Sequence, residues 1–378
     1  MSKNSHNNSA VELLRFVFFL LIVSYHFSSH YLYYDESINL FCRGYLADEF
    51  FFLITGFYLA HTALKTDKNP IIFGFSSVFE RIKKIAIPYY LSWFLCFIGK
   101  NYVNVQLGSE DNNIFDNFMN SFYELFFLKM FGFQKGFYSN VLSWFFSAVL
   151  IVSLIISPLI VKFKKTFLLY VAPVIAIAAY GILSLDYDYL HSPGKLIQNT
   201  FLMRGLVRAF AAMSLGCFIY GFVNSELFKK WLSASSKRRL FLLKTGDVIL
   251  WGLIVIYCIY PHDTKFDEII TQYDFLCVFA MAIALIPVVA YVFVVENKAL
   301  KGAIRVLGRF SFYGYFGQAV IYAVDQAVYQ YPARAEFKFL ILFVCVIVFT
   351  MMLWAVDILV HKHKELKAYL QSAGREQS

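Results

Sequence analysis

Residues 11–30 read VELLRFVFFLLIVSYHFSSH, from Val11 to His30. About twenty consecutive, mostly apolar residues suffice to carry a helix across a bilayer. Inside this stretch sit an arginine, Arg15, and a histidine, His26, and ionisable groups at membrane depth are costly enough to point to a function. At about 3.6 residues per turn, eleven residues make about three turns, so both side chains leave the helix on one face. At about 1.5 Å of rise per residue they lie roughly 16 Å apart along the axis. One helix thus carries a cation toward one membrane face and an imidazole toward the other.

The rest of the 378-residue chain is of the same kind. It is 59% hydrophobic, 20% aromatic and only 16% charged, with a mean hydropathy of +0.59, whereas an ordinary soluble domain is about 25% charged. Apolar runs between polar breaks fall near 11–30, 44–63, 86–104, 141–161, 167–185, 205–223, 246–260, 274–295, 307–329 and 337–360. The expected fold is therefore all-α, a polytopic integral membrane protein with about ten transmembrane helices. Residues 1–362 read as one membrane-embedded domain, and 363–378 as a short polar tail. The polar-aromatic stretch from Asn113 to Gly136 reads as an interfacial excursion. The first apolar segment is too long for a removable signal peptide and has no small-residue cleavage site, so it is expected to stay as an anchor.

Lys and Arg set the orientation. With the N-terminus inside, the inner segments hold 23 of these residues and the outer segments 8, with Arg15, Arg204 and Arg208 inside spans. That bias places both termini in the cytoplasm. It also accounts for the net charge of +9 without nucleic acid as a partner. Six cysteines (Cys42, Cys96, Cys217, Cys258, Cys277, Cys345) show neither CxxC nor paired spacing, so no disulfide framework and no metal site is expected.

With this orientation, the polar residues inside the spans fall at two depths. Near the outer surface, GYLADEFFFLITGF opens the second span and brings Asp48 and Glu49 to the level of His26. A carboxylate beside a histidine fixes its tautomer and raises its basicity, as a general base requires. Glu49 is the expected partner, with Asp48 turned toward the loop. Near the inner surface, FERIKKIAIPYY opens the third span, with Pro88 at its entry. Arg81 and Lys84 share a helical face there and share a depth with Arg15. Three cations at one level and a histidine at the other suit a long, thin ligand with an anionic head and a reactive tail. Coenzyme A has that form: the cations would hold its phosphates, and its arm would lift an acyl group to His26. Arg204 and Arg208, one turn apart in the outer part of the sixth span, are candidates to contact an acidic acceptor or lipid phosphate.

These residues resemble the acyltransferase-3 family of integral-membrane acyltransferases. The family's first-span pattern, Arg, ten residues, then His, stands here as Arg15 and His26. An acidic residue followed by FFxxSGF is matched by Glu49 to Phe57, with Thr55 in the usual Ser place. RxxRxxxP is matched by Arg81 to Pro88, with Lys84 for the second Arg. Trp144–Phe145 matches a Trp-Phe pair at the start of the fourth span. G[RK]xSxYxYxxH is matched from Gly308 to Gln318, with Gln318 where His is common. The resemblance implies transfer of an acetyl group from cytoplasmic acetyl-CoA, a co-substrate and not a resident cofactor, to a hydroxyl of an extracytoplasmic glycan, free or lipid-linked. His26 and Glu49 would be catalytic, Arg15, Arg81 and Lys84 would bind the donor, and Arg204, Arg208 and Gln318 would contact the substrate. It further implies residence among the lipids of a bacterial cytoplasmic membrane, and no C-terminal SGNH-type domain is expected. Two other readings exist. A transporter using His26 and Glu49 as a proton relay would show inverted repeats with broken helices, which are not detected, and the Lys84 and Gln318 departures allow a degenerate sensor.

Overall fold

A computed structural model describes residues 8–34, 40–108, 113–132, 138–185, 189–198, 200–260, 272–329 and 334–376. Within them the chain is helical, with no named strand. The helices in chain order are α1 (Ser9–Tyr34), α2 (Ala47–Ala63), α3 (Pro70–Gln106), α4 (Ile114–Ser121), α5 (Trp144–Thr166) and α6 (Ala172–Ser184). They continue with α7 (Arg204–Val223), α8 (Glu226–Ser233), α9 (Lys237–Ile259), α10 (Tyr273–Val289), α11 (Lys298–Tyr329) and α12 (Ala335–Glu376). Each of the ten apolar segments overlaps one of these helices, although 274–295 runs past the end of α10 at Val289 and 167–185 begins ahead of α6. Among the described residues, five helical stretches are long and apolar enough to cross a membrane by length and composition: Ser9–Ser28, Val141–Ser184, Arg204–Val223, Lys237–Ile259 and Glu336–His363.

Several helices outrun the apolar segments they contain. α3 begins at Pro70, where Asn69 accepts a cap hydrogen bond from the Ile71 amide (3.0 Å) and proline at the first position suits a helix start. Pro88 therefore lies inside α3 and does not open it. The tail continues α12 as far as Glu376. Lys3, Lys135 and Lys265, used in setting the orientation, lie outside the described residues, as do 133–136 of the Asn113–Gly136 stretch.

The tightest packing joins α2 to α7, and the reason is two glycines. A Cβ on Gly56 would overlap the Met213 backbone, and one on Gly216 would overlap the Leu53 carbonyl. Small residues let two membrane helices touch backbone to backbone. The Cys217 thiol spans the same gap by donating to the Gly56 carbonyl at 3.3 Å. Gly216→Val should push the helices apart and cost about 1–3 kcal/mol or more. An unchanged unfolding temperature in detergent would contradict this packing.

α1 sits against both halves of the bundle. On one side Phe18 stacks on Phe50 of α2, with ring centroids 4.4 Å apart, and on the other α1 packs along α11. Here Gly308 makes room for the Glu12 side chain and Gly314 for the Phe19 ring. The outward faces of α9, α10 and α12 stay apolar and exposed, as at Leu253, Ile256, Ile283, Leu340 and Val348. Continuous faces of this kind suit lipid rather than water.

Candidate active site

α1 reaches a cavity at each end, one lined by Arg15 and the other by His26. The His26 cavity encloses about 320 Å³. Its polar wall includes His26 and Tyr25 of α1, Asp48 of α2, Arg208 of α7, His191 and Lys129. Trp144 and Tyr322 add aromatic surface.

The groups around His26 differ from the sequence reading. Its Nδ1 lies 3.3 Å from Oε1 of the fully buried Gln318 on α11. With Nδ1–H donating to that oxygen, the basic lone pair of the ring resides on Nε2. Gln318, placed where the family often carries His, thus orients the imidazole without competing for its proton. Glu49 is fully buried and is held by the Arg208 Nε donor at 2.7 Å and by the Tyr180 hydroxyl at 2.8 Å. Asp48 was expected to face the loop. It is buried instead and lines the cavity, 3.8 Å from Arg208 Nη2. Adjacent residues on a helix point about 100° apart, and here Asp48 lines the cavity while Glu49 turns onto Arg208 and Tyr180.

The two arginines of α7 also separate. Arg208 lines the cavity, its Nη2 donates to the Tyr45 carbonyl at 3.1 Å, and its plane lies 5.5 Å from the Trp144 ring. Its Nη1 is buried and has no hydrogen-bond partner among the described residues. Arg204 lies behind the wall and donates to the His191 and Ser192 carbonyls at 3.3 and 3.0 Å. It thereby ties down the loop that carries His191.

His191 and Lys129 escaped the sequence reading. Its Nε2 lies 2.7 Å from the Tyr25 hydroxyl and its Nδ1 2.9 Å from the Ser192 hydroxyl. The available signal was a histidine directly before the turn-forming Ser192-Pro193-Gly194 run. Lys129 comes from the stretch read as interfacial. It donates to the buried Glu124 at 3.4 Å and to the Asn140 and Val141 carbonyls. The stretch dips into the protein at Glu124, which also accepts from the Trp93 indole at 3.0 Å. Opposite charges five residues apart in an aromatic run were the clue.

At the other end, Arg15, Arg81 and Lys84 come together around one cavity of about 590 Å³, with Lys68, Thr55 and Tyr58. Arg15 is about one-third exposed, pairs with Glu12 at 2.9 Å and lies 5.8 Å from the Tyr58 ring. Lys68, Arg81 and Lys84 have no carboxylate partner among the described residues. Glu80 also lines this cavity and pairs with Lys83 at 2.9 Å; the hydrogen bond and charge of Lys83, with smaller contributions from the charges of Lys84 and Lys68, hold its carboxyl below its ordinary range.

A partition of aromatic rings stands between the two cavities. Leu142 and Trp144 line the His26 cavity, while Phe145 and Phe146 line the Arg15 cavity. Phe145 stacks on Phe52 and Phe146 on Phe316, with centroids 4.5 and 5.0 Å apart. The Tyr315 hydroxyl closes the seam by donating to the Leu142 carbonyl at 2.8 Å.

A family model described as an acyltransferase domain matches residues 8–359. The chain belongs to the acyltransferase-3 family. Comparison with curated proteins and with solved structures gives no match. Family and long apolar helices together make the protein a membrane acyltransferase. The match covers all twelve helices except the end of α12, so both cavities of this acyltransferase-3 protein lie within the family domain. Of the motif residues that carry the resemblance, Arg15, His26, Arg81 and Lys84 line one of these cavities, and Glu49 and Gln318 hold residues that do.

Proposed function

We propose that the protein moves an acetyl group from cytoplasmic acetyl-CoA to a hydroxyl of an extracytoplasmic glycan. The observation that carries this reading is α1 itself: one helix lines a cationic cavity with Arg15 and a histidine cavity with His26. The cations receive the donor's phosphates from the cytoplasmic side, and its thioester arm passes the ring partition along α1. Nε2 of His26 removes the acceptor's hydroxyl proton as the oxygen attacks the thioester carbonyl; the C–S bond then breaks, and the departing CoA thiolate takes that proton back from His26 and leaves as the free thiol. Alternatively the imidazole itself attacks the thioester, CoA leaves as the C–S bond breaks, and the acceptor hydroxyl then takes the acyl group from the ring, which is freed with the hydroxyl's proton. The unfilled Nη1 donor of Arg208 serves the acceptor or the oxyanion that develops on the thioester carbonyl. Tyr25, Tyr322 and Trp144 offer the acceptor aromatic faces.

The test uses membranes containing the protein, radiolabelled acetyl-CoA and the host's surface polysaccharide. Label should reach the polysaccharide only when the protein is present, and the absence of transfer would sink the reading. Arg15→Ala should raise the KM for the donor about tenfold or more, the worth of one lost charge-assisted contact. The acceptor's KM should change less. The reverse pattern would remove Arg15 from the donor site.

A further inference from the structure

A second cavity of about 750 Å³ opens beside the first, between α1, α11 and α12. Glu12, Arg15 and Phe312 line both. The Glu12–Arg15 ion pair therefore stands as a shared wall, seated where Gly308 leaves room for the Glu12 side chain. The new cavity adds Arg305, Arg309, Lys362 and His361.

Its charges are not balanced from within. Asp357 accepts from the Tyr313 hydroxyl at 2.6 Å and lies 3.5 Å from His361 Nδ1. Glu12 is taken by Arg15. Arg305, Arg309 and Lys362 have no carboxylate partner among the described residues. The first cavity holds a similar unpaired set, Lys68, Arg81 and Lys84. Cations at the cytoplasmic face follow from topology alone. Two unpaired triads lining adjoining concave sites, joined through one arginine, do not, because like charges held together repel unless an anion lies between them.

The arrangement calls for a ligand with two separate phosphate centres. Resting on the donor reading above, we infer that the Arg305–Arg309–Lys362 cavity takes the 3′-phosphomonoester of the CoA adenosine. The Lys68–Arg81–Lys84 cavity then takes the diphosphate. A phosphomonoester carries close to two charges near neutral pH and presents three acceptor oxygens, which suits guanidinium forks. The acyl group travels at the diphosphate end of the molecule, so the 3′-phosphate cavity lies aside from the path to His26. Binding there adds affinity and selects the donor without entering the chemistry. A lipid with a phosphomonoester headgroup is the other source of the same chemistry.

The test is equilibrium binding of CoA and of dephospho-CoA, which lacks only the 3′-phosphate, to the full chain in zwitterionic nanodiscs. The wild-type protein should bind CoA about tenfold or more tightly than dephospho-CoA, the scale of one charge-assisted contact set. Both arginines are exposed, so R305Q/R309Q keeps the packing. That variant should bring CoA down to the affinity the wild-type protein shows for dephospho-CoA. R81Q/K84Q should instead weaken both ligands and keep their ratio. Equal binding of the two by the wild-type protein, or an unchanged ratio in R305Q/R309Q, overturns this inference and leaves the donor reading standing. Binding of neither overturns both. The same measurement is repeated in nanodiscs doped with phosphatidate. Enrichment of that lipid by the protein, lost in R305Q/R309Q and with no CoA preference in its absence, would assign the cavity to lipid and overturn the donor subsite.

Discussion

His26→Ala should lower acyl transfer to the polysaccharide by about 10²–10⁴-fold, the range that a positioned general base supplies. The side chain lines the outer cavity, and its Nδ1 is turned toward Gln318 at 3.3 Å, which places the basic nitrogen on the other edge of the ring. His26 is flanked by the Tyr25 and Tyr322 rings, with centroids 5.4 and 5.2 Å away, so truncation leaves a gap in an aromatic wall. Expression and unfolding temperature should therefore stay near wild type while label transfer disappears. Transfer at the wild-type rate in a well-expressed variant would take His26 out of the mechanism. Gln318→Ala should retain part of the rate, because the imidazole survives and loses only the bond that orients it.

Arg208→Ala should cost stability as well as activity. The guanidinium and Glu49 are both fully buried and meet at 2.7 Å. Removing one member of a buried pair leaves the other charge uncompensated, which costs about 3–5 kcal/mol. Tyr180 still donates to Glu49 but brings no positive charge. Adding Glu49→Gln to Arg208→Ala should recover part of the loss, since the stranded charge is then gone. The measurement is the unfolding temperature of the purified protein in detergent. A single variant as stable as wild type, or a double variant less stable than the sum of the two singles, would refute the pairing as the source of stability.

Much of this was visible in the linear sequence because depth in a membrane helix is a local property. Rise per residue and the run of apolar residues place Arg15 and His26 at opposite ends of α1 whatever surrounds them. The same counting put Arg81 and Lys84 level with Arg15, and all three do line one cavity. The second cationic cavity was harder to read. Arg305 and Arg309 stood in the topology count as inner-face cations, and nothing nearby in the chain showed that α12 folds back beside them.

Azimuth is different. Asp48 and Glu49 share a depth and differ only in the direction they face around α2. The backbone contact of Gly56 and Gly216 decides that direction by fixing how α2 meets α7. It turns Glu49 onto Arg208 and leaves Asp48 in the cavity wall. The partner of His26 is settled in the same way, since Gln318 is 292 residues distant and arrives through the packing of α11 on α1. Lys129 and His191 reach the site on loops whose paths follow from buried bonds to Glu124 and Arg204.

The sequence by itself determined a helical membrane protein of the acyltransferase-3 pattern, with a cation and an imidazole at the two ends of its first helix. Hydropathy and helical rise act residue by residue and need no fold to operate. Only the tertiary structure decided which carboxylate lines the His26 cavity, which residue orients the imidazole ring, and that a second cationic cavity adjoins the first. Those outcomes depend on rotation and contact between helices far apart in the chain, and close packing alone sets them.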